Sequence, residues 1–139
     1  MATGNLINTV QEEDAQLATY RTLPHNLEAE QALLGAVLIN NDALNQVATF
    51  LDYTHFYLPV HGRVFEAVLK MVERGQIASP VTLKHYFDHD DSLSEVGGAQ
   101  YLARLAGSAV TIINAEHYGR AIYDLAMRRE LISIGEEMV

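Results

Sequence analysis

From Leu23 to the end of the chain, apolar residues recur at helical intervals and do not alternate as in strands. Leu27, Leu34, Val37 and Leu38 are separated by three, four and seven positions. Asn26, just ahead of them, suits an N-cap because its side-chain oxygen can accept an orphan backbone N–H. Glu28 and Glu30 fall in the first turns, where negative charge complements the helix dipole. Asn40-Asn41-Asp42 predicts the end of this helix and the cap of a shorter one carrying Leu44, Val47 and Leu51. A third helix is expected from Pro59, whose fixed φ suits the first helical position. Its stripe of Val60, Val64, Phe65, Val68, Leu69 and Val72 is the strongest in the chain, and Gly75 reads as its terminator. Ser79-Pro80 repeats the cap-plus-proline signal ahead of Leu83, Tyr86 and Phe87.

The second half is more broken. Asp88 to Ser94 reads as a polar loop, and Gly97-Gly98 opens a short helix with Tyr101, Leu102 and Leu105 that ends at Gly107. Ala109 to Ile113 is apolar but has no strand to pair with, so a packed loop is expected. After an Asn114 cap, one helix from Ala115 to Val139 would span ~37 Å. Its stripe is Tyr118, Ile122, Leu125, Leu131, Ile132 and Met138. So long a helix on so small a head cannot bury its whole apolar face, and Ile132 and Met138 require a missing helix or another subunit. Met1 to Thr22 is a polar leader with an acidic cluster at Glu12, Glu13 and Asp14, expected to be mostly disordered. The expected architecture is all-α: a leader over 1–22, a compact head of about five to six helices over 23–113, and one long helix over 114–139 that ends as if cut within a longer protein.

Composition narrows the function. A chain of 139 residues, 49% hydrophobic and 19% charged, is long enough to bury roughly two-thirds of its unfolded surface as one domain. The absence of cysteine excludes a disulfide framework, a thiolate zinc site and a cysteine nucleophile. No apolar run approaches the ~20 residues of a membrane helix, and the first basic residue is Arg21, so a cytoplasmic, membrane-free protein is expected. A net charge of −9, with basic residues scattered, argues for a protein partner over direct nucleic-acid contact.

Reactive chemistry finds little support. There is no GxxxxGK[ST] loop to cradle phosphate, and Gly97-Gly98 reads as a loop-to-helix junction. His85 and His89, four apart with Asp88, Asp90 and Asp91 nearby, are the sharpest metal candidates and would suit a small metal-dependent hydrolase. HExxH is absent, however, and a solvated histidine pair is the plainer reading. His61 lies on the third helix with no nominated nucleophile and reads as a half-buried helix histidine, while His25, His55 and His117 read as local hydrogen-bonding groups. No serine sits in a GxSxG elbow. Tyr53, Phe56 and Tyr57 are expected to plug the core between helices. Tyr101 and Tyr118 lie at helix edges, where burial is the commoner fate and a protein interface the alternative.

Four segments together carry a resemblance. They are Leu23-Pro24-His25-Asn26-Leu27-Glu28-Ala29-Glu30-Gln31-Ala32-Leu33-Leu34-Gly35; His55-Phe56-Tyr57 with His61 and Val64-Phe65; Glu95-Val96-Gly97-Gly98-Ala99-Gln100-Tyr101-Leu102; and Asn114-Ala115-Glu116-His117-Tyr118 with Arg128-Arg129-Glu130-Leu131-Ile132. In order and spacing the chain from Leu23 to Val139 resembles the N-terminal domain of bacterial replicative DNA helicases of the DnaB type. It departs from that pattern at Ser79-Pro80, where an acidic residue is expected shortly before Thr82-Leu83.

The resemblance implies a helical head followed by the first arm of a helical hairpin, with a second arm, a linker and a RecA-like ATPase domain beyond. It also implies self-association into dimers that build a hexameric collar, with docking of the primase C-terminal domain and contact with a helicase loader. ATP and magnesium, used for 5′→3′ movement on DNA, would belong to the ATPase domain, and no cofactor to this segment. Glu28, Tyr101, Tyr118, Ile132 and Met138 are the residues expected to face partners. A free-standing helical adaptor with the same fold is the alternative.

Overall fold

The computed structural model describes residues 22–87, 91–95, 97–108 and 114–138. The leader expected over 1–22 lies outside that set except for Thr22, as do the loop residues at 88–90 and the packed connector expected at 109–113. Among the described residues six α-helices follow in order: α1 Leu27–Ile39, α2 Pro59–Glu73, α3 Pro80–Tyr86, α4 Asp91–Glu95, α5 Ala99–Gly107 and α6 Ala115–Glu137. Two 3-10 helices, Asn41–Gln46 and Tyr53–His55, join α1 to α2, and there is no strand among the described residues.

Local chemistry sets most helix ends. Asn26 Oδ1 accepts the Ala29 N–H at 3.0 Å to start α1. Asn40 both closes α1 and caps the first 3-10 helix through the Asp42 N–H. Pro59 opens α2, and Gly75, at φ +76°, closes it. There the Gln76 N–H reaches Met71 O at 2.9 Å and the Gly75 N–H reaches Val72 O at 3.0 Å, a Schellman pair that needs the left-handed residue. Ser79 and Thr82 cap each other reciprocally at the start of α3, so the departure at Ser79-Pro80 leaves a sound helix start.

Three expectations change. The stretch read as a loop through Ser94 contains α4, because Leu93 is buried and its carbonyl accepts the Gly98 N–H at 2.7 Å. Asn114 makes no side-chain cap; the Gln46 side chain, from the first 3-10 helix, accepts the Glu116 N–H at 3.3 Å instead. Tyr53 does not plug the core but stands half exposed, whereas Phe56 is buried against Phe65 with ring centroids 5.2 Å apart.

Helix α1 is the centre of the head and packs on α2, α5 and α6. Residues 33–38 are therefore buried on every side, which a single apolar stripe would not require. Around it, Leu44, Val64, Phe65, Val68, Leu83, Leu102, Leu105 and Ile122 complete the core. A side-chain staple closes one end. Asn41 Nδ2 donates to Val37 O and Ala78 O, both at 2.8 Å, and its Oδ1 accepts the Ala78 N–H at 2.9 Å. Asn41→Ala should lower stability by about 2 kcal/mol, because the part-buried Ala78 groups lose their partner. The check is a shift of the urea midpoint with an unchanged slope.

Helix α6 runs for 23 residues, ~35 Å, and is packed along its first half only. Its buried residues are Ala115, Gly119, Ile122 and Ala126, at helical intervals of four, three and four. Residues 130–138 are all exposed.

Candidate functional site

Among the described residues, two polar side chains lie inside the head. Glu30 on α1 and His61 on α2 are 1% and 0% exposed, and a charge or dipole so placed has to be matched by hydrogen bonds. Both are matched. Glu30 Oε1 accepts from His61 Nδ1 at 2.8 Å and from the Leu58 N–H at 3.4 Å, while Oε2 accepts the Tyr57 N–H at 2.7 Å. Leu58 is the N-cap position of α2 and carries no capping side chain of its own, so a carboxylate from α1 serves that helix end. His61 Nε2 meets the Tyr101 hydroxyl at 2.5 Å, with the rings stacked at 5.9 Å.

The hydrogen order follows from the donors available. A carboxylate accepts, so Nδ1 of His61 donates; Nε2 then accepts the Tyr101 O–H, and Gln31 Nε2 donates to the tyrosine oxygen at 3.5 Å. The relay ties α1, α2 and α5 together.

Arg129 approaches the same region from α6. Nη1 donates to Pro24 O at 2.8 Å and Nη2 to His55 O at 2.6 Å, and the guanidinium carbon lies 5.6 Å from the Tyr57 ring centre. Tyr57 stacks in turn on His25 at 4.0 Å. Burial pulls the guanidinium below its ordinary pKa, while the Glu30 carboxylate and Tyr57 act in the opposite sense.

The five expected partner residues are not gathered in one place. Glu28 is exposed on the first turn of α1, two residues from Glu30 and so on the other side of the helix. Tyr101 is only 9% exposed, and its hydroxyl is bonded to His61 inside the head, the burial that its place at a helix edge made the commoner expectation. Tyr118, Leu125 and Ile132, seven apart, share one edge of α6, and exposure rises along it to Ile132. Met138 is 83% exposed and lines up with Leu131 and Ile134, roughly 140° around the helix from the packed stripe.

Sequence reasoning placed His61 as half-buried and gave Glu30 only to the helix dipole. A signal existed for both. Glu30 stands three, four and seven positions before Leu33, Leu34 and Val37, and His61 stands so before Val64, Phe65 and Val68. Each polar residue therefore occupies an apolar stripe.

His85 is exposed on α3, and His89, Asp88 and Asp90 lie outside the described residues. Among the described residues no group of three His, Cys, Asp or Glu could hold a metal ion, and no helix is long and apolar enough to cross a membrane. A cleft of about 190 Å³ lined by Arg63, Glu66, Ala67, Tyr86 and Phe87 is smaller than the roughly 300–1,000 Å³ of ordinary ligand pockets.

An all-α multi-helix head followed by a long C-terminal helix matches the fold of replicative-helicase N-terminal domains. The crystal structure of the N-terminal domain of DnaB helicase from Mycobacterium tuberculosis superposes with a TM-score of 0.78 at 34% identity, over 84% of this chain and 83% of that one. The family described as DnaB-like helicase N terminal domain matches residues 22–124. The replicative DNA helicase DnaB of Rickettsia typhi is 44% identical over 97% of this chain, and that of Geobacillus stearothermophilus 35% over 85%. The chain belongs to the DnaB-like helicase N-terminal domain family. It spans about a quarter of the length of these curated relatives, 27% and 26%.

Proposed function

We propose that this chain is the non-catalytic collar domain of a cytoplasmic hexameric replicative helicase, assembling subunits and docking the C-terminal domain of primase. The observation that carries the reading is the exposed apolar end of α6, where Leu131, Ile132, Ile134 and Met138 stand 68%, 39%, 47% and 83% exposed. Apolar side chains grouped on one protruding helix mark a surface that is covered on assembly. In this reading the stretch from Asn114 is the first arm of a hairpin, and its neighbours are a second arm, another copy of the domain or primase. Glu28, Tyr118, Ile132 and Met138 are the residues turned to those partners, and a loader approaches the same collar. The net charge of −9 keeps the collar from competing with the motor for DNA. ATP, magnesium and 5′→3′ unwinding belong to the remainder of the parent protein.

The test is a pair of variants, Ile132→Ala and Met138→Ala, assayed for self-association by sedimentation and for binding to the primase C-terminal domain by calorimetry. Each should weaken one of the two by roughly tenfold, the usual loss for an apolar anchor worth about 1.4 kcal/mol, while far-UV circular dichroism stays unchanged. Unaltered association and unaltered primase binding would refute the reading. Loss of the helical signal would make Ile132 a core residue and refute its assignment.

A further inference from the structure

The packed and bare halves of α6 meet at Arg129. Before it, Ala115, Gly119, Ile122 and Ala126 are buried against the head, and Tyr118, Ala121 and Tyr123 pack on the core at the edges of that stripe. After it, residues 130–138 are exposed, and among the described residues no later side chain bonds to the head. Arg129 lies three positions beyond Ala126 and so continues the packed stripe.

Its two acceptors are informative. Pro24 O belongs to the segment entering α1, and His55 O closes the 3-10 helix that leads into α2, 31 residues later in sequence. Neither is a carboxylate, and neither is free to swing. Pro24 sits between the His25 Nδ1 contact to Leu23 O, at 2.7 Å, and the Asn26 cap. His55 Nδ1 accepts the Asp52 N–H at 2.9 Å, its ring lies against Tyr123 at 5.1 Å, and Glu30 pins the Tyr57 N–H just beyond it. A planar guanidinium with two parallel donors therefore spans two rigid backbone points. That fixes orientation as well as distance, which a single ammonium cannot do.

We propose that Arg129 is a positioning residue, a latch that sets the angle at which the bare half of α6 leaves the head. Its two-pronged geometry, and not its positive charge, holds that angle. Leverage makes the angle consequential: Glu136 lies seven residues on, ~10 Å along the helix, so a tilt of about 20° moves it by ~4 Å. The inference does not depend on what covers the Leu131, Ile134 and Met138 face.

The chain has no cysteine, so two introduced ones carry the only labels. Ala103→Cys on α5 and Glu136→Cys on α6, both at exposed positions, receive nitroxides. Their separation is measured by pulsed electron resonance in labelled chain diluted with excess unlabelled chain, so that contacts between copies do not contribute. With Arg129 present, one narrow distance distribution is expected. Arg129→Gln and Arg129→Lys should each broaden or shift it, with a width about twofold greater, while far-UV circular dichroism is kept. Arg128→Gln, which removes the neighbouring exposed charge, should leave it unchanged.

A narrow, unshifted distribution in either Arg129 variant that remains folded overturns the proposal. Broadening in Arg129→Gln with none in Arg129→Lys would make charge the operative property and overturn the stated geometry. If Arg129→Gln unfolds, Arg129→Lys decides; if both unfold, Arg129 is a stability element of the head and the latch is refuted.

Discussion

Glu30→Ala should destabilise the head by about 3–5 kcal/mol, the largest effect expected of any single truncation in the polar core. The carboxylate has three partners, and its removal leaves the Tyr57 N–H, the Leu58 N–H and His61 Nδ1 facing a void. Each buried donor left unpaired costs about 1–3 kcal/mol, so even partial hydration of the cavity leaves a large deficit. A domain of this size has roughly 5–15 kcal/mol in total, and the melting temperature should fall by more than about 10 °C.

Glu30→Gln separates the contributions. Its amide oxygen can replace one carboxylate oxygen, but its NH₂ then points at a second donor, so a loss of about 2 kcal/mol is expected. Glu28→Ala, two residues away on the exposed side, should stay within about 0.5 kcal/mol. Urea denaturation of the three variants reads the series. An alanine variant as stable as the parent would mean that the Glu30–His61–Tyr101 relay contributes nothing to the fold.

The contrast between Glu28 and Glu30 also shows what a sequence displays and what it hides. Helix ends were legible because their chemistry is local: Asn26 meets Ala29, Ser79 meets Thr82, and Gly75 permits one left-handed residue. The partners of the polar core are not local. Glu30 and His61 are 31 residues apart, and His61 and Tyr101 are 40 apart, so each residue has an ordinary local reading on its own. Only the position of Glu30 and His61 within apolar stripes could have signalled burial.

The packing of the final helix was partly hidden for a different reason. The expected stripe of Tyr118, Ile122, Leu125, Leu131, Ile132 and Met138 includes one fully buried residue, Ile122, while the rest of the buried surface is Ala115, Gly119 and Ala126. Small residues contribute little to a hydrophobic pattern, yet they decide how closely two backbones approach. The resemblance to replicative helicases supplied the architecture; the site residues it suggested include one, Tyr101, that this fold turns inward.

Gly119→Val should cost about 3 kcal/mol, and the cause is that close approach. A Cβ at position 119 would fall 2.4 Å from Val47 Cγ1, 3.2 Å from Val47 Cβ and 3.3 Å from Phe50 Cζ. Neither neighbour can yield. Val47 is fully buried and stiff about χ1, and the Phe50 ring is held by the Arg120 guanidinium at 3.9 Å and the edge of Tyr123 at 5.9 Å. The strain must therefore lift α6 from the first 3-10 helix. Alanine makes the sharper diagnostic, because glycine to alanine inside a helix ordinarily stabilises by about 1 kcal/mol. Here Gly119→Ala should destabilise despite that gain, and Val47→Ala, itself costly through the cavity it leaves, should relieve the loss when the two are combined. A positive coupling in that double-mutant cycle, read from denaturation midpoints, is the expected result. A Gly119→Ala variant more stable than the parent would instead mean that α6 sits farther from Val47 than the packed stripe requires.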